Sequence, residues 1–532
     1  MVNQGILHPS ARLVWATKPE GEPHSQEIGF QVEEVVIPEQ EPTFFTPADA
    51  TLHIREINRL FHGDNLLAMQ GLLAQGYEGK INLIYIDPPF YSQAKYTHRI
   101  TPGRTNGSWE IPVIELPAYQ DTWGGGIDSY LDMLYPRLQL MYRLLTPDGS
   151  IYVHLDASIS HYIKVLMDEI FGLDSFQREI IWRIGWISGY KSAARNWVRN
   201  HDNLLFYVKN PGKFTFNKEY LPYPPGYRRR DGQKATGKGY PIEDVWNANP
   251  CELALKGEES LDSIQIKSFS REKSGFATQK NKSLLRRIIK ASSNPGDLVA
   301  DFFGGSGTTL VVAAEIGRRW LGCEIGRTGI QVARKRLVAA GAGPFSIERV
   351  KPTVKPAPGA GPSEGSGYQG IPVAKAATRS GVNCGISIPA GDCFPRTATP
   401  NNKAGENLRL TGPEVMRTND GLEQLTIGLA AYTPPEPAEK PRSRKTKASW
   451  ETLQAHAREN FSLFIDYWAV DWDYDGSCFR SRWRAWKDYN KNEAVPLQAI
   501  AILPPGGRRT IAVQVVDIFG NEVLATLDVP PV

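Results

Sequence analysis

The apolar positions between residues 60 and 340 alternate between two spacings, which predict strands and helices in turn. Short apolar runs, typical of buried strands in a parallel sheet, cover residues 80–86, 150–155, 179–182, 203–208, 297–301 and 319–324. Apolar residues at helical spacing predict helices over residues 130–145, 159–171, 283–291, 308–315 and 328–340. This order of elements favours an α/β fold.

Other regions have compositions of their own. Residues 1–50 are polar and carry clustered glutamates, which predicts an irregular N-terminal arm. Residues 210–275 are rich in Pro, Gly, Tyr and basic side chains, and they separate two halves of the α/β pattern, 51–209 and 276–345. The high Pro and Gly content of residues 346–446 predicts a linker with some short strands. Residues 447–532 predict a small β domain of unknown role, whose many aromatic side chains we expect in its core rather than on a base-stacking platform.

Charge changes this picture in one place. The chain has 532 residues, with 61 Lys and Arg against 57 Asp and Glu, and a net charge of +4 does not by itself indicate a nucleic-acid-binding protein. Residues 178–238, however, carry 13 basic and 4 acidic side chains, a local net charge of +9. Such a block is either a solvated basic surface or a face that meets a polyanion.

Several classes of protein are disfavoured by what the sequence lacks. The five cysteines are scattered and none forms a Cys-x-x-Cys pair, so the sequence supports neither a disulfide framework nor a structural zinc site, and we predict no metal. No apolar run approaches the roughly 20 residues that cross a bilayer. No secretory signal is visible at the N-terminus. We therefore expect a cytoplasmic protein that does not contact a membrane.

The first chemical motif is Asp87-Pro88-Pro89-Phe90, directly after the strand predicted at 80–86. Each proline fixes φ near about −65°, so the turn is rigid and lies at the carboxyl edge of the sheet, where ligands of open α/β sheets bind. Its carboxylate and a proline carbonyl can accept hydrogen bonds from an exocyclic amine, and the phenyl ring can stack on a planar base. Taken alone, the tetrapeptide is weak evidence and favours an ordinary turn, because proline after Asp is common in turns.

The second motif is the glycine-rich turn at residues 301–309, between a predicted strand and a predicted helix. No Lys follows its glycines, and Leu310 stands where a dinucleotide fingerprint has its third glycine, so neither phosphate-binding motif is matched. Glu324 ends the next strand, 19 residues after Gly305, where a carboxylate could hold ribose hydroxyls. A ribose-bearing cofactor without a pyrophosphate fits these features, and S-adenosylmethionine meets that description.

Together the two motifs resemble those of the β group of DNA amino-methyltransferases, which includes the modification subunits of type III restriction–modification systems. The resemblance covers roughly residues 60–340, with the catalytic motif before the cofactor motif. It extends to the segments 62–65, 149–156 and 276–280. Two positions depart from the family pattern: Phe90 stands where Tyr is commoner, and Asn281 stands where the family usually has Pro.

The resemblance implies a doubly wound, circularly permuted Rossmann-like methyltransferase sheet, with a target-recognition insertion at 210–275. The motifs and the resemblance assign catalysis to Asp87, Pro88, Pro89 and Phe90. They assign cofactor binding to Asp64, Thr278, Lys280, Asp301, Phe303, Gly305, Ser306, Gly307, Thr308, Thr309 and Glu324. DNA contacts are assigned to Arg195, Arg199, Arg228, Arg229 and Arg230. We expect the last three to contact phosphates, the commoner kind of protein–DNA contact.

We therefore predict a site-specific methyltransferase that transfers a methyl group from S-adenosylmethionine to N6 of an adenine flipped out of double-stranded DNA. Cytosine N4 is the alternative target, although the family more often has Ser than Asp before the two prolines in that case. RNA as substrate and a catalytically silent DNA-binding subunit of a restriction or defence complex stay open. A restriction helicase or nuclease partner and a homodimer are further expectations from the resemblance.

Overall fold

The computed structural model describes residues 11–21, 23, 28–37, 57–92, 95–100, 114–121, 123–185, 195–256, 259–262, 272, 274, 276, 278–352, 407–434, 451, 455, 460–487 and 495–529. The α-helices in these ranges are α1 (Asn65–Ala74), α2 (Gly126–Leu144), α3 (Ser160–Phe171), α4 (Pro250–Leu253), α5 (Lys282–Ser292), α6 (Thr308–Glu315) and α7 (Arg327–Ala339). Every helix predicted from the sequence is present, and the boundaries of α6 are as predicted.

The strands before the linker are β1 (Ile28–Val36), β2 (Asn58–His62), β3 (Ile81–Ile86), β4 (Lys95–Ile100), β5 (Ile114–Gln120), β6 (Leu145–Leu155), β7 (Phe176–Arg183), β8 (His201–Val208), β9 (Tyr220–Leu221), β10 (Tyr240–Pro241), β11 (Val245–Trp246), β12 (Leu298–Asp301), β13 (Arg319–Glu324) and β14 (Phe345–Pro352). Those that follow are β15 (Leu408–Arg417), β16 (Glu423–Tyr432), β17 (Ile465–Asp471), β18 (Arg480–Ser481), β19 (Trp483–Trp486), β20 (Gln498–Leu503), β21 (Arg509–Asp517) and β22 (Glu522–Val529).

Eleven of these strands form one sheet, in the order β11-β7-β8-β6-β3-β12-β13-β2-β14-β1-β18. The strands from β6 to β14 in this order are all parallel, and β8 runs antiparallel between β6 and β7. At the centre, β3 pairs with β12, which comes more than 200 residues later in the chain. Because parallel strands end at the same edge, the two motifs that follow β3 and β12 meet there.

Helices cover both faces of this sheet, which confirms the doubly wound fold. Side chains alternate between the two faces along β3, so Ile84 and Ile86 enter the core beneath α1, α2 and α3. Leu83 and Tyr85 enter the core beneath α5, α6 and α7 on the other face. The near-continuous apolar sequence of β3 follows from burial on both sides.

The prediction of an irregular arm at residues 1–50 is wrong for β1, which pairs antiparallel with β14. Its glutamates are stabilised by partners that are distant in sequence. Glu33 forms an ion pair with Arg349, and Glu34 is fully buried beside Arg334. Because these partners are distant in sequence, the local pattern does not indicate the ion pairs. The clustered glutamates alone therefore predict a solvated, irregular segment.

The linker prediction is also wrong at both of its ends. The first residues of the predicted linker, from 346, belong to β14 in the large sheet. The hairpin β15–β16 pairs with β20, so the C-terminal β domain begins before residue 447. Residues 353–406 lie outside the described residues.

The C-terminal domain consists of the sheets β15-β16-β20 and β19-β17-β21-β22. Phe464, Trp468 and Trp472 are fully buried between them, which confirms that aromatic side chains form the core of this domain. The domain is docked on the large sheet, because β18 pairs with β1. Ion pairs from Arg334 and Lys335 of α7 to the domain add to this contact.

Candidate active site

The catalytic motif forms the turn directly after β3. One carboxylate oxygen of Asp87, Oδ2, accepts a hydrogen bond from Lys280 Nζ at 2.5 Å. The other oxygen, Oδ1, is buried and has no hydrogen-bond partner among the described residues. The Lys280 ammonium also lies 4.9 Å from the centroid of the Phe90 ring. Within the described ranges, Asp87 therefore retains one acceptor that is left to a ligand or water.

The chain after Phe90 is held by a carboxylate that the motif does not contain. Tyr91 has φ of 58°, a left-handed conformation that is uncommon for a residue other than glycine. Its backbone N–H donates to Asp121 Oδ1 at 3.1 Å, and the Ser92 N–H donates to Asp121 Oδ2 at 2.7 Å. Trp123 Nε1 donates to the same carboxylate at 2.8 Å. Asp121 is buried, and it fixes the exit of the catalytic turn.

A buried polar chain lies behind Phe90. The ring centroids of Phe90 and His154 are 5.8 Å apart. His154 Nδ1 is 2.8 Å from the hydroxyl of Tyr85, and Nε2 is 3.3 Å from Asp202 Oδ2. Burial acts to raise the pKa of Asp202, but the hydrogen bond to His154 and nearby positive charges lower it to about 2. The single histidine within the apolar run of β6 is the sequence signal for this series of hydrogen-bonded side chains.

The glycine-rich turn after β12 is organised by its own aspartate. Asp301 is 3% exposed; its Oδ1 accepts from the Phe303 N–H at 3.0 Å, and its Oδ2 accepts from Thr309 Oγ1 at 2.5 Å. Burial raises the pKa of Asp301 to about 7, although both hydrogen bonds oppose the shift. Gly305 and Gly307 both have positive φ, at 49° and 73°. A Cβ on Gly307 would lie 2.7 Å from the Cβ of Ala333, so α6 and α7 approach closely only with glycine there.

The carboxylate of Glu324, at the end of β13, accepts hydrogen bonds from both the glycine-rich turn and the turn that follows β13. Its Oε2 accepts from the Gly305 N–H at 2.8 Å, and its Oε1 accepts from the Gly326 N–H at 2.7 Å. Burial raises its pKa, and these backbone donors act in the opposite direction. Each oxygen still has a second lone pair, so the carboxylate can also accept a ligand hydroxyl.

Two arginines that the sequence analysis did not select support the cavity. Arg336 on α7 donates to the Ser306 carbonyl at 2.7 Å and to Thr308 Oγ1 at 2.8 Å. Burial lowers its pKa to about 10. Arg137 on α2 donates to Asp64 Oδ1 at 2.8 Å. No motif predicts either arginine, because each acts from a helix that is distant in sequence from its partner.

These elements enclose one cavity of about 340 Å³ at the carboxyl edge. All four residues of the catalytic motif line it. Gly307 is the one predicted cofactor residue that does not line the cavity, because it faces Ala333 of α7. The predicted cofactor residues that line it are Asp64, Thr278, Lys280, Asp301, Phe303, Gly305, Ser306, Thr308, Thr309 and Glu324. The apolar side chains of Phe276, which lies in the predicted segment 276–280, and of Ile325, which the sequence analysis missed, also line it. The structure thus brings both motifs into one site.

The arginines predicted to contact DNA lie outside this cavity. Arg228, Arg229 and Arg230 are exposed near the tip of a small hairpin, where the Arg229 N–H donates to the Gln233 carbonyl at 2.9 Å. Arg195 is exposed, whereas Arg199 forms ion pairs with Asp156 and Asp202. Arg199 therefore anchors its own loop, and its contact with DNA stays a prediction.

The described ranges also bear on metal binding, membrane insertion and disulfides. Among the residues that the structure describes, no group of three or more His, Cys, Asp or Glu could hold a metal ion. No helix in the described part of the chain is long and apolar enough to cross a membrane. Cys251, Cys323 and Cys478 are the cysteines that the structure describes, and no disulfide joins any two of them.

The parallel central strands, the cavity at their carboxyl edge and the order of the two motifs define a doubly wound α/β transferase with its catalytic motif before its cofactor motif. The chain belongs to the DNA methylase family, whose model matches residues 81–335.

Three relatives illustrate this membership. The type II methyltransferase M1.MboII of Moraxella bovis is 32% identical over 211 residues, which cover 37% of this chain and 75% of the relative. The type II methyltransferase M.HpaI of Haemophilus parainfluenzae is 28% identical over 279 residues, covering 52% of this chain and 74% of the relative. The DNA adenine methyltransferase YhdJ of Escherichia coli (strain K12) is 25% identical over 304 residues, covering 56% of this chain and 87% of the relative.

Proposed function

We propose that this DNA methylase transfers the methyl group of S-adenosylmethionine to N6 of an adenine that is flipped out of double-stranded DNA. One observation supports this most directly. Asp87 has a buried carboxylate oxygen without a partner among the described residues, in the same cavity as the glycine-rich turn. An exocyclic amine is a donor that fits this oxygen.

The chain's own residues fit S-adenosylmethionine, which supplies an electrophilic methyl group when bound. Glu324 would accept the ribose hydroxyls, and the exposed apolar side chain of Ile325 beside it suits a purine face. A Cβ on Gly305 would lie 3.3 Å from the Phe276 ring, so glycine there keeps the cavity open. The cavity lining carries four acidic side chains, Asp64, Asp87, Asp301 and Glu324, against two basic ones, Lys280 and Arg137, and this excess favours a positively charged sulfonium.

Asp87 and Phe90 would orient the base. Asp87 Oδ1 and the carbonyl of Pro88 accept the two hydrogen bonds of the amine, which directs the nitrogen lone pair into the cavity. As positive charge develops on the nitrogen, the fixed carboxylate stabilises it, and the same oxygen is placed to receive the proton that the amine must lose. Phe90 stacks on the ring. The Lys280 ammonium lies over the Phe90 ring. A base that stacks on the same face of the ring therefore displaces this ammonium.

We favour adenine over cytosine because an aspartate precedes the two prolines. The DNA adenine methyltransferase YhdJ, which aligns with more than half of this chain, agrees with that preference. The basic hairpin at residues 228–230 and the neighbouring stack of Tyr223 on Tyr227, with ring centroids 4.7 Å apart, are proposed as part of the DNA-binding face. A restriction helicase or nuclease partner, a homodimer and a cytoplasmic location are further proposals.

Mass spectrometry of nucleosides tests this function. DNA incubated with the purified chain and S-adenosylmethionine is digested, and N6-methyladenine and N4-methylcytosine are measured separately. We expect N6-methyladenine alone, and base-resolution sequencing of the same DNA then gives the recognition site. N4-methylcytosine as the product would contradict the target base, and the absence of any methylated base would contradict the activity.

A further inference from the structure

Trp197 is the most exposed large hydrophobic side chain in the described residues, with 98% of its surface accessible. A tryptophan ring buries about 150–250 Å² when it is covered, so leaving it in water forgoes a large stabilisation. The cores described above make no use of this residue. Its exposure suggests that the ring acts on a partner.

The fold places Trp197 at the same edge of the sheet as the catalytic motif. Its loop leads into β8, whose residue Asn203 pairs with Leu155 near the carboxyl end of β6. β6 in turn pairs in parallel with β3, which ends at Ile86, directly before Asp87. The loop therefore emerges beside the mouth of the cavity.

The loop is also anchored firmly on its C-terminal side. Arg199 forms ion pairs with Asp156 and Asp202, and the Ile184 N–H donates to the Asn200 carbonyl at 3.0 Å. Two residues of chain span at most about 7 Å, so the backbone of Trp197 stays within that distance of the Arg199 backbone. Asp202 contacts His154, whose ring lies next to Phe90.

The charge of the sequence around Trp197 suits a nucleic acid. Residues 186–199 contain three basic side chains and no acidic one, and they lie within the basic block 178–238. Electrostatic attraction would bring the DNA backbone to this edge without any base contact. An aromatic ring on such a loop is then placed to enter the base stack.

We propose that Trp197 inserts into the duplex at the space left by the flipped adenine and stacks on the neighbouring bases. Flipping costs a few kcal/mol because stacking and pairing are lost. A wedge that stacks in the vacated space offsets part of that cost and slows the return of the base. This inference rests on the proposed function and assigns Trp197 as a positioning residue, since it acts through the DNA and not on the reacting amine.

The test compares two duplexes that carry the recognition site found by sequencing. In one the target adenine is paired with thymine, and in the other it lies opposite an abasic site, which lowers the cost of flipping. We expect Trp197→Ala to lower kcat/KM on the paired duplex by about ten- to a hundredfold. On the abasic duplex the loss should shrink to within about threefold, and Trp197→Phe should restore most of the activity on both.

Leu173→Ala is the matched control, because Leu173 is an exposed apolar residue at the opposite edge of the sheet. We expect it, like Trp197→Ala, to leave the unfolding midpoint and cofactor affinity unchanged. 2-Aminopurine at the target position should brighten less with Trp197→Ala than with the wild type. An unchanged kcat/KM of Trp197→Ala on the paired duplex would overturn the proposal. An equal loss of kcat/KM on both duplexes would also overturn it, because that result would indicate a contact with intact DNA. If the wild-type chain methylates no DNA, the proposed function itself fails.

Discussion

The turns after β3 and β12 begin with the same residue type, which has a different role in each turn. Each starts with an aspartate at the carboxyl end of a central parallel strand, and the two strands are neighbours. Asp301 uses both carboxylate oxygens to hold its own turn. Asp87 holds none of its turn, because Asp121, which is distant in sequence, accepts the backbone N–H groups of Tyr91 and Ser92. The same residue type is thus structural in one turn and available for chemistry in the other.

Asp87 and Asp301 also differ in the exposure of their side chains and in the charges near them. The Asp87 side chain is 17% exposed and faces the Lys280 ammonium. Asp301 is buried, and burial raises its pKa to about 7. A carboxylate that must stabilise a developing positive charge needs an oxygen that its own turn does not engage, and Asp87 has one whereas Asp301 does not.

The largest effect is expected at Asp87. Asp87→Ala removes the acceptor for the amine, and we expect the methylation rate to fall on the order of 10³-fold, by analogy with the loss of other charge-stabilising groups. Initial rates of methyl transfer to DNA measure it. The unfolding midpoint should change little, because the carboxylate holds no backbone group among the described residues, and the loss of its ion pair with Lys280 is offset by the removal of a buried oxygen without a described partner. A loss below tenfold would contradict the assigned role.

Asp121 should come next, because it positions the catalytic turn without touching the base. Asp121→Ala frees the N–H groups of Tyr91 and Ser92, and a displaced catalytic turn is expected to lower kcat by about 10²-fold. Asp121→Asn keeps one acceptor and should restore part of the rate. Separate measurements of kcat and of KM for the cofactor test this, since a purely structural role would lower both variants' stability and leave kcat of the folded enzyme unchanged.

Asp301 should affect stability rather than chemistry. Its raised pKa means that the folded chain binds a proton more tightly than the unfolded chain, so stability from this group is complete below about pH 4 and is lost as the pH rises through about 7. Asp301→Asn removes this titration while keeping an acceptor for the Phe303 N–H. Over that range, the stability of the wild type should fall relative to the variant by at most about 1.4 kcal/mol per pH unit. Urea unfolding of both chains between pH 4 and pH 8 measures it, and parallel curves would refute the assignment.

The smallest effect on chemistry is expected from the basic hairpin, which contacts neither turn. Replacing Arg228, Arg229 and Arg230 by Ala should weaken DNA binding for all sequences alike. The slope of log affinity against log salt should flatten by about 0.9 for each phosphate that the protein no longer neutralises. Binding titrations at several salt concentrations, with cognate and non-cognate duplexes, test this. A loss confined to the cognate duplex would indicate base contacts instead.

Motifs that are contiguous in sequence were predictable, and contacts between distant segments were not. The strand before Asp87, the glycine turn and Glu324 follow from local patterns, because strand ends and glycine turns constrain the chain within a few residues. Asp121, Arg336 and the buried strand β1 depend on partners far along the chain, so no local pattern indicates them. The Asp301 carboxylate was predicted to bind cofactor, and the structure gives it a second role in holding the turn.

The measurement that tests the contrast most directly compares Asp87→Ala with Asp301→Ala in the same two assays. Single-turnover methyl transfer at saturating cofactor and DNA reports the chemical step, and urea unfolding reports stability. We expect Asp87→Ala to lose the chemical step and keep the stability of the wild type. Asp301→Ala should keep most of the chemical step and lose about 1–3 kcal/mol of stability, because buried donors lose their acceptor. Equal losses of the chemical step in both variants, or an active Asp87→Ala chain, would contradict the account.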